Sequence, residues 1–221
     1  MSATGYLLRQ MVDRLEPGAT LAEPLPALNR VLYCHRGSFE TDDGARCAED
    51  AAWYGAGEVT VTAGPEGAVI WRWELSPAES EAIRVQGDGV TSTENLSAPL
   101  DGPDPGAEWI MRCDSVKFPI GGCALTHTHQ GPGIRCLRQG QIRIDTRGKS
   151  THYLPGQAWF EPGADPVFAQ ASELECTRFV RVMILPAELR GKSSIQYVNP
   201  EDLEKPKSQR YTGYVDEPIE H

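Results

Sequence analysis

The chain alternates short apolar runs with glycine- and proline-rich breaks, a pattern that predicts strands joined by tight turns. Runs rich in Val, Ile, Trp and Phe are punctuated by 22 glycines and 17 prolines, as is typical of β-structure. Aromatic runs at Trp53 and Trp159 predict strands, and Gly37 and Gly140 predict turns. The sequence therefore predicts an all-β protein.

The same landmarks recur in order along the chain, which indicates an internal duplication. At an offset of 103 residues, Gly18 matches Gly121 and Gly37 matches Gly140. Further matches are Ala52-Trp53-Tyr54 with Ala158-Trp159-Phe160 at an offset of 106, and Arg72 with Arg181 and Pro77 with Pro186 at 109. Each increase in offset corresponds to a small loop insertion.

The repeat divides the chain into four predicted segments. Residues 1–80 and 107–190 form the two copies, and 81–106 is a linker rich in Glu, Gly, Ser, Asp and Pro. Residues 191–221 form a polar tail that wraps the second copy or a partner subunit, or is disordered.

Composition narrows the possible partners. The hydrophobic fraction of 40% supports a real core, and the net charge of −10 disfavours nucleic acid and anionic membranes. The chain lacks a signal-peptide pattern and an apolar run long enough to span a bilayer, so we expect a cytoplasmic protein. Its six cysteines include no C-x-x-C pair, which favours buried free thiols.

The most specific chemical signal is the segment Thr126-His127-Thr128-His129. Alternate residues of an extended strand project to the same face, so His127 and His129 are placed to bind one metal ion. The alternative is a pair of hydrogen-bonded imidazoles without metal.

This segment resembles the cupin superfamily, whose motifs are G-x5-H-x-H-x3-E-x6-G and G-x5-P-x-G-x2-H-x3-N. The matching residues are Gly121, His127, His129 and Gly140 in the first motif, and Gly156 and Pro162 in the second. The motif's glutamate falls on Gly133, its third histidine on Val167 and its asparagine on Ala171. In the first copy, Pro24-Leu25-Pro26 replaces the histidine segment, so that copy is expected to be structural.

The resemblance implies a bicupin, with two jelly-roll barrels that commonly dimerise, so a homodimer is expected. The small-molecule site would lie inside the C-terminal barrel, with a divalent ion such as Fe, Zn, Ni or Mn.

Three further residues are candidates for this site. Glu161 is a possible third ligand, acid or base, or else faces solvent. Arg135 shares the inner face with position 133 and would pair with an internal carboxylate or orient an anionic substrate. Trp159 is a core aromatic or a substrate-contacting pocket wall. Weaker candidate ligands are Cys123, His152 and His35.

The resemblance implies a metal-dependent enzyme acting on a small anionic organic substrate, of dioxygenase, isomerase or lyase type. The alternative is a cupin that binds a small molecule or metal without turnover. Sugar epimerase chemistry is disfavoured, because His152 and Tyr153 are strand neighbours that face opposite sides. Neither the substrate nor the reaction type follows from the sequence.

Overall fold

A computed structural model describes residues 5–100 and 107–220, and over these ranges the chain forms sixteen antiparallel β-strands, two 3₁₀ turns and no α-helix. The all-β prediction is confirmed. The described residues before position 107, with 219–220, form one unit, and Ala107–Pro218 forms the other. Within the described ranges, no helix has the length and apolar character needed to cross a membrane.

The first unit is built on a single six-stranded sheet. Its strands follow the order β3-β2-β5-β1-β6, and β4 pairs with β2. The strand bounds are β1 Tyr6–Leu15, β2 Arg30–Thr41, β3 Arg46–Ala48, β4 Ala52–Gly55, β5 Val61–Pro77 and β6 Val90–Leu100.

The second unit is a sandwich of two five-stranded sheets, with strand orders β11-β10-β13-β8-β15 and β12-β9-β14-β7-β16. Alternate residues of both sheets meet in one apolar cluster that includes Phe118, Leu137, Ile144 and Phe179. The strand bounds are β7 Trp109–Phe118, β8 Cys123–His129, β9 Gly133–Gln139, β10 Ile142–Thr146, β11 Lys149–Tyr153, β12 Ala158–Glu161, β13 Val167–Ala171, β14 Thr177–Pro186, β15 Ile195–Tyr197 and β16 Arg210–Pro218. The 3₁₀ turns are Ala187–Leu189 and Pro200–Asp202.

The strand registers reproduce the internal repeat. β1 pairs with β5 from Tyr6↔Pro77 to Leu15↔Ala68, and β7 pairs with β14 from Trp109↔Pro186 to Phe118↔Thr177. These pairs are related by the same offsets of 103 and 109 residues that the sequence predicts. The pairing of β2 with β4 and of β9 with β12 is likewise equivalent.

Turn geometry repeats as well. Gly37 and Gly140 have φ angles of 76° and 77°, a left-handed conformation that glycine adopts readily. A Cβ atom would lie 2.1 Å from the Gly67 carbonyl oxygen at the first position and 2.6 Å from that of Cys176 at the second. The equivalent turns therefore require glycine for the same two reasons.

The two units differ in the number of sheets that they contain. The first unit was expected to be a jelly-roll barrel like the second, but it has one sheet because β5 covers the equivalents of both β13 and β14. The segment joining β13 to β14 is three residues longer than its counterpart, as the change in offset from 106 to 109 shows.

Two predicted segments have more structure than expected. The linker prediction over 81–106 is wrong for β6, which pairs with β1, and the tail forms β15 and β16, which pair with β8 and β7. Both β6 and β16 are sheet-edge strands rich in polar residues, so apolar periodicity does not reveal them. Residues 1–4, 101–106 and 221 of the predicted segments lie outside the described residues.

Candidate functional site

Strand β8 presents His127 and His129 to the interior of the second unit. Both are 5% exposed, and their Nε2 atoms lie 3.2 Å apart. Nδ1 of His127 donates a hydrogen bond of 2.7 Å to the Leu125 carbonyl oxygen, which leaves its Nε2 as an acceptor. Nδ1 of His129 lies 3.3 Å from Oγ of Ser194.

This convergence suits a shared ion. With metal–nitrogen distances of about 2.05 Å, a separation of 3.2 Å corresponds to an angle of about 100° at the metal, between octahedral and tetrahedral values. Burial lowers the pKa of His127. Burial, and then the charges of Arg181 and Arg135, hold the pKa of His129 well below its usual range. Both rings are therefore neutral near pH 7, as ligation requires.

Glu161 lies inside the second unit and not in solvent. It is 9% exposed, and its Oε2 lies 2.8 Å from NH2 of Arg135 and 3.7 Å from Nε2 of His129. Trp159 donates a hydrogen bond of 2.8 Å from Nε1 to Oε1. The carboxylate is thus fixed beside the histidines by a guanidinium and an indole.

Arg135 is 1% exposed, and its NH1 donates a 2.6 Å hydrogen bond to the Gly133 carbonyl oxygen. Burial lowers its pKa to about 10, although Glu161 opposes that shift. The alternation along β9 thus places Arg135 inward, and its partner is an internal carboxylate.

Two positions of the histidine motif lack the expected ligand, Gly133 in place of glutamate and Val167 in place of histidine. A Cβ at Gly133 would lie 2.5 Å from the Val182 carbonyl oxygen and 3.1 Å from NH1 of Arg135, so a glutamate does not fit without rearrangement. Val167 pairs with His127 on the neighbouring strand and lines the cavity with an apolar side chain.

Arg181 is a further residue of the site that was not among the candidates predicted from the sequence. Its Nε and NH2 donate hydrogen bonds of 2.7 and 3.2 Å to Asp114, while NH1, which Asp114 does not bond, lies 3.5 Å from Nε2 of His129. Burial opposes the charge of Arg181, but the charge of Asp114 outweighs it and raises the pKa. The ring of Tyr211 lies 5.7 Å from this guanidinium. The signal was available, since the repeat aligns Arg181 with Arg72 between apolar neighbours in both copies.

These groups surround a cavity of about 20 Å³, which is room for about one water molecule. The polar lining comprises both histidines, Arg135, Glu161, Arg181 and Tyr211, and the apolar lining includes Val116, Phe118, Ala124, Ile144, Val167, Ala169, Phe179 and Ile195. Trp159 is not in the lining, so it supports the site from the core.

The protein donors for a metal are few. In the part of the chain that the structure describes, no group of three or more His, Cys, Asp or Glu residues is arranged to hold an ion. The two imidazole nitrogens still fit a divalent ion whose other ligands come from water or an anion. The weaker candidates Cys123 and His152 do not line the cavity, and His35 stacks on Trp71 in the first unit.

The interior of the first unit contains an ion-pair network in place of a histidine pair. Arg72, the counterpart of Arg181, bonds Asp13 at 2.6 Å and Glu74 at 2.7 Å, and Glu74 also bonds Arg30 at 3.1 Å. Arg30 donates to the carbonyl oxygen of Pro26, the counterpart of His129. All four charged side chains are buried, and the structural role of this copy stays a prediction.

No protein-family model and no curated protein sequence matches the chain. Solved structures of oxalate decarboxylase from Bacillus subtilis do match its fold. One, from work on the Mn(II) centres of that enzyme, has a TM-score of 0.63 at 12% identity and covers 93% of this chain and 78% of its own. A deletion mutant of the same enzyme matches with a TM-score of 0.62 at the same identity and coverage. The chain has a cupin fold. At 12% identity the likeness shows the fold alone.

Proposed function

We propose that the second unit binds a divalent ion, Fe, Zn, Ni or Mn, through His127 and His129, and acts as an enzyme on a small anionic organic substrate. The observation that carries the proposal is the 3.2 Å approach of two buried imidazole nitrogens next to the NH1 group of Arg181. When bound, such an ion supplies Lewis-acid polarisation of a substrate oxygen.

The residues around the histidines have separate proposed roles in substrate binding and in proton transfer. Arg181 offers a donor to an acid group, because NH1 is not bonded by Asp114. Glu161 is placed to accept or return a proton beside His129, and Arg135 and Trp159 hold its carboxylate in position. The sequence left two roles open for Arg135, pairing with an internal carboxylate or orienting the substrate, and its contact with Glu161 favours the first. Oxalate decarboxylase, with its Mn(II) centres, is a structural neighbour consistent with an anionic substrate.

Metal content is the direct test. Protein purified after growth with Mn, Fe, Ni or Zn is expected to bind about one ion per chain, whereas His127→Ala and His129→Ala lose it. His152→Ala is the matched control, since His152 is exposed on β11 and outside the cavity. The proposal is contradicted if the wild-type protein contains no metal under all four supplements. It is also contradicted if His127→Ala and His129→Ala contain as much metal as the wild type.

A binding protein without turnover is the second candidate, favoured by the small number of protein ligands. Incubating the metal-loaded protein with small carboxylates under air separates the two. Loss of the carboxylate, with oxygen consumption or carbon dioxide release, supports an enzyme, and quantitative recovery supports a binding protein.

We also propose that the chain is a bicupin, with an altered first copy over 1–80 and a site-bearing second copy over 107–190. The equivalent registers of the two copies support this organisation. Homodimer formation and a cytoplasmic location stay predictions.

A further inference from the structure

A second, larger pocket lies directly outside the histidine cavity within the second unit. Its volume is about 330 Å³, at the lower end of the range for organic-ligand sites. Arg181, Ile195 and Tyr211 line both this outer pocket and the inner cavity. The two spaces therefore share a wall made of one side chain from β14 and two from the tail.

Two residues that line the outer pocket lie next to the two ring nitrogens of His129. Ser194 lines the outer pocket and places its Oγ 3.3 Å from Nδ1, while NH1 of Arg181 lies 3.5 Å from Nε2. A molecule bound in the outer pocket would therefore contact Ser194 and Arg181, which both lie beside the imidazole ring of His129.

The charges of the outer pocket favour an anion. Arg112 and Asp216 neutralise each other, with Nε 2.9 Å from Oδ1, and Asp114 neutralises Arg181. Lys192 is exposed at the rim, and within the described ranges it has no carboxylate partner. The cationic groups left for a ligand are therefore its ammonium and NH1 of Arg181.

We infer that the ligand is a dicarboxylate longer than oxalate, with one acid group at Arg181 beside the histidines and the other in the outer pocket near Lys192. This inference rests on the proposed function for the position of the first acid group. The inner cavity of about 20 Å³ is too small for a whole organic acid, whereas the outer pocket accommodates its body.

Calorimetric titration of the full chain at low ionic strength tests the inference, with oxalate, adipate and hexanoate as probes and with Mn²⁺ present or absent. Adipate is expected to bind more tightly than both others. Lys192→Gln should weaken adipate about 2- to 5-fold, the effect of one solvent-exposed ion pair, and leave hexanoate unchanged. Lys149→Gln, at an exposed lysine on β11, is the control and should change neither.

Oxalate binding as tightly as adipate, equal affinity for adipate and hexanoate, no effect of Lys192→Gln, or no binding of any probe overturns the inference. Its failure leaves metal binding by the histidine pair intact. If metal is absent and adipate is still preferred with the Lys192 dependence, the proposed metal site fails and the dicarboxylate pocket stands.

Discussion

Arg135→Met should convert a weak metal site into a stronger one while destabilising the fold. The substitution removes the guanidinium that lies 2.8 Å from Oε2 of Glu161 and leaves that carboxylate beside His129. With donor–metal distances of about 2.1 Å, two ligands of one ion lie at most about 4.2 Å apart, so the 3.7 Å from Oε2 to Nε2 allows shared ligation. Glu161 then becomes a third protein ligand.

The expected magnitudes follow from burial. Removing one partner of a buried ion pair costs about 3–5 kcal/mol, and Arg135 and Glu161 are nearly inaccessible to solvent. Metal that binds only the folded state restores about 2.7 kcal/mol at a concentration 100 times its dissociation constant. Urea unfolding with and without Zn²⁺ measures both effects, and metal titration gives the affinity directly.

Arg143→Met is the matched control, because the Arg143–Asp145 pair on β10 is partly exposed and should contribute no more than about 1 kcal/mol. A variant that is destabilised as expected but binds metal no more tightly than wild type refutes Glu161 as a latent ligand. A variant as stable as wild type refutes the assigned energy of the pair.

Three further predictions concern the packing around the site and elsewhere. Trp159→Phe should lower the free energy of unfolding by about 1.5–3 kcal/mol in urea melts, because Glu161 loses a buried donor; an unchanged midpoint argues against that hydrogen bond. Arg72→Met should cost about 3–5 kcal/mol, since Asp13 and Glu74 lose their shared partner, and a stabilised variant contradicts the network. In native protein at pH 8, iodoacetamide should label the half-buried thiols Cys123 and Cys176 before Cys47 and Cys136. Burial raises the pKa of Cys47 to about 11 and that of Cys136 further, so both thiols react slowly. Peptide mass spectrometry follows the labelling, and early modification of Cys47 or Cys136 contradicts this order.

The sequence predicted the duplicated strands because their signals are local. The glycine turns, the aromatic runs and the alternation that directs His127 and His129 to one face are all set by neighbours in the chain. Two-residue periodicity also gave the inward direction of Arg135.

The remaining parts depend on contacts between distant segments. The bond between Arg181 and Asp114 joins residues 67 positions apart, and no local pattern marks it. Glu161 precedes a Pro-Gly turn, where a carboxylate is usually exposed, and only Arg135 and Trp159 hold it inside. The edge strands β6 and β16 are recognisable only by the partners that they pair with.

Part of the lining of both pockets lies outside the internal repeat. The duplicated framework supplies the imidazoles and the guanidiniums, but Ile195 and Tyr211 follow the end of the second repeat and complete the wall of both pockets. Substitutions at Ile195 or Tyr211 therefore change the lining of both pockets and leave the repeated segments unaltered. A chain ending at residue 190 would keep both repeated segments but lack Ile195 and Tyr211, so neither pocket would have its complete lining.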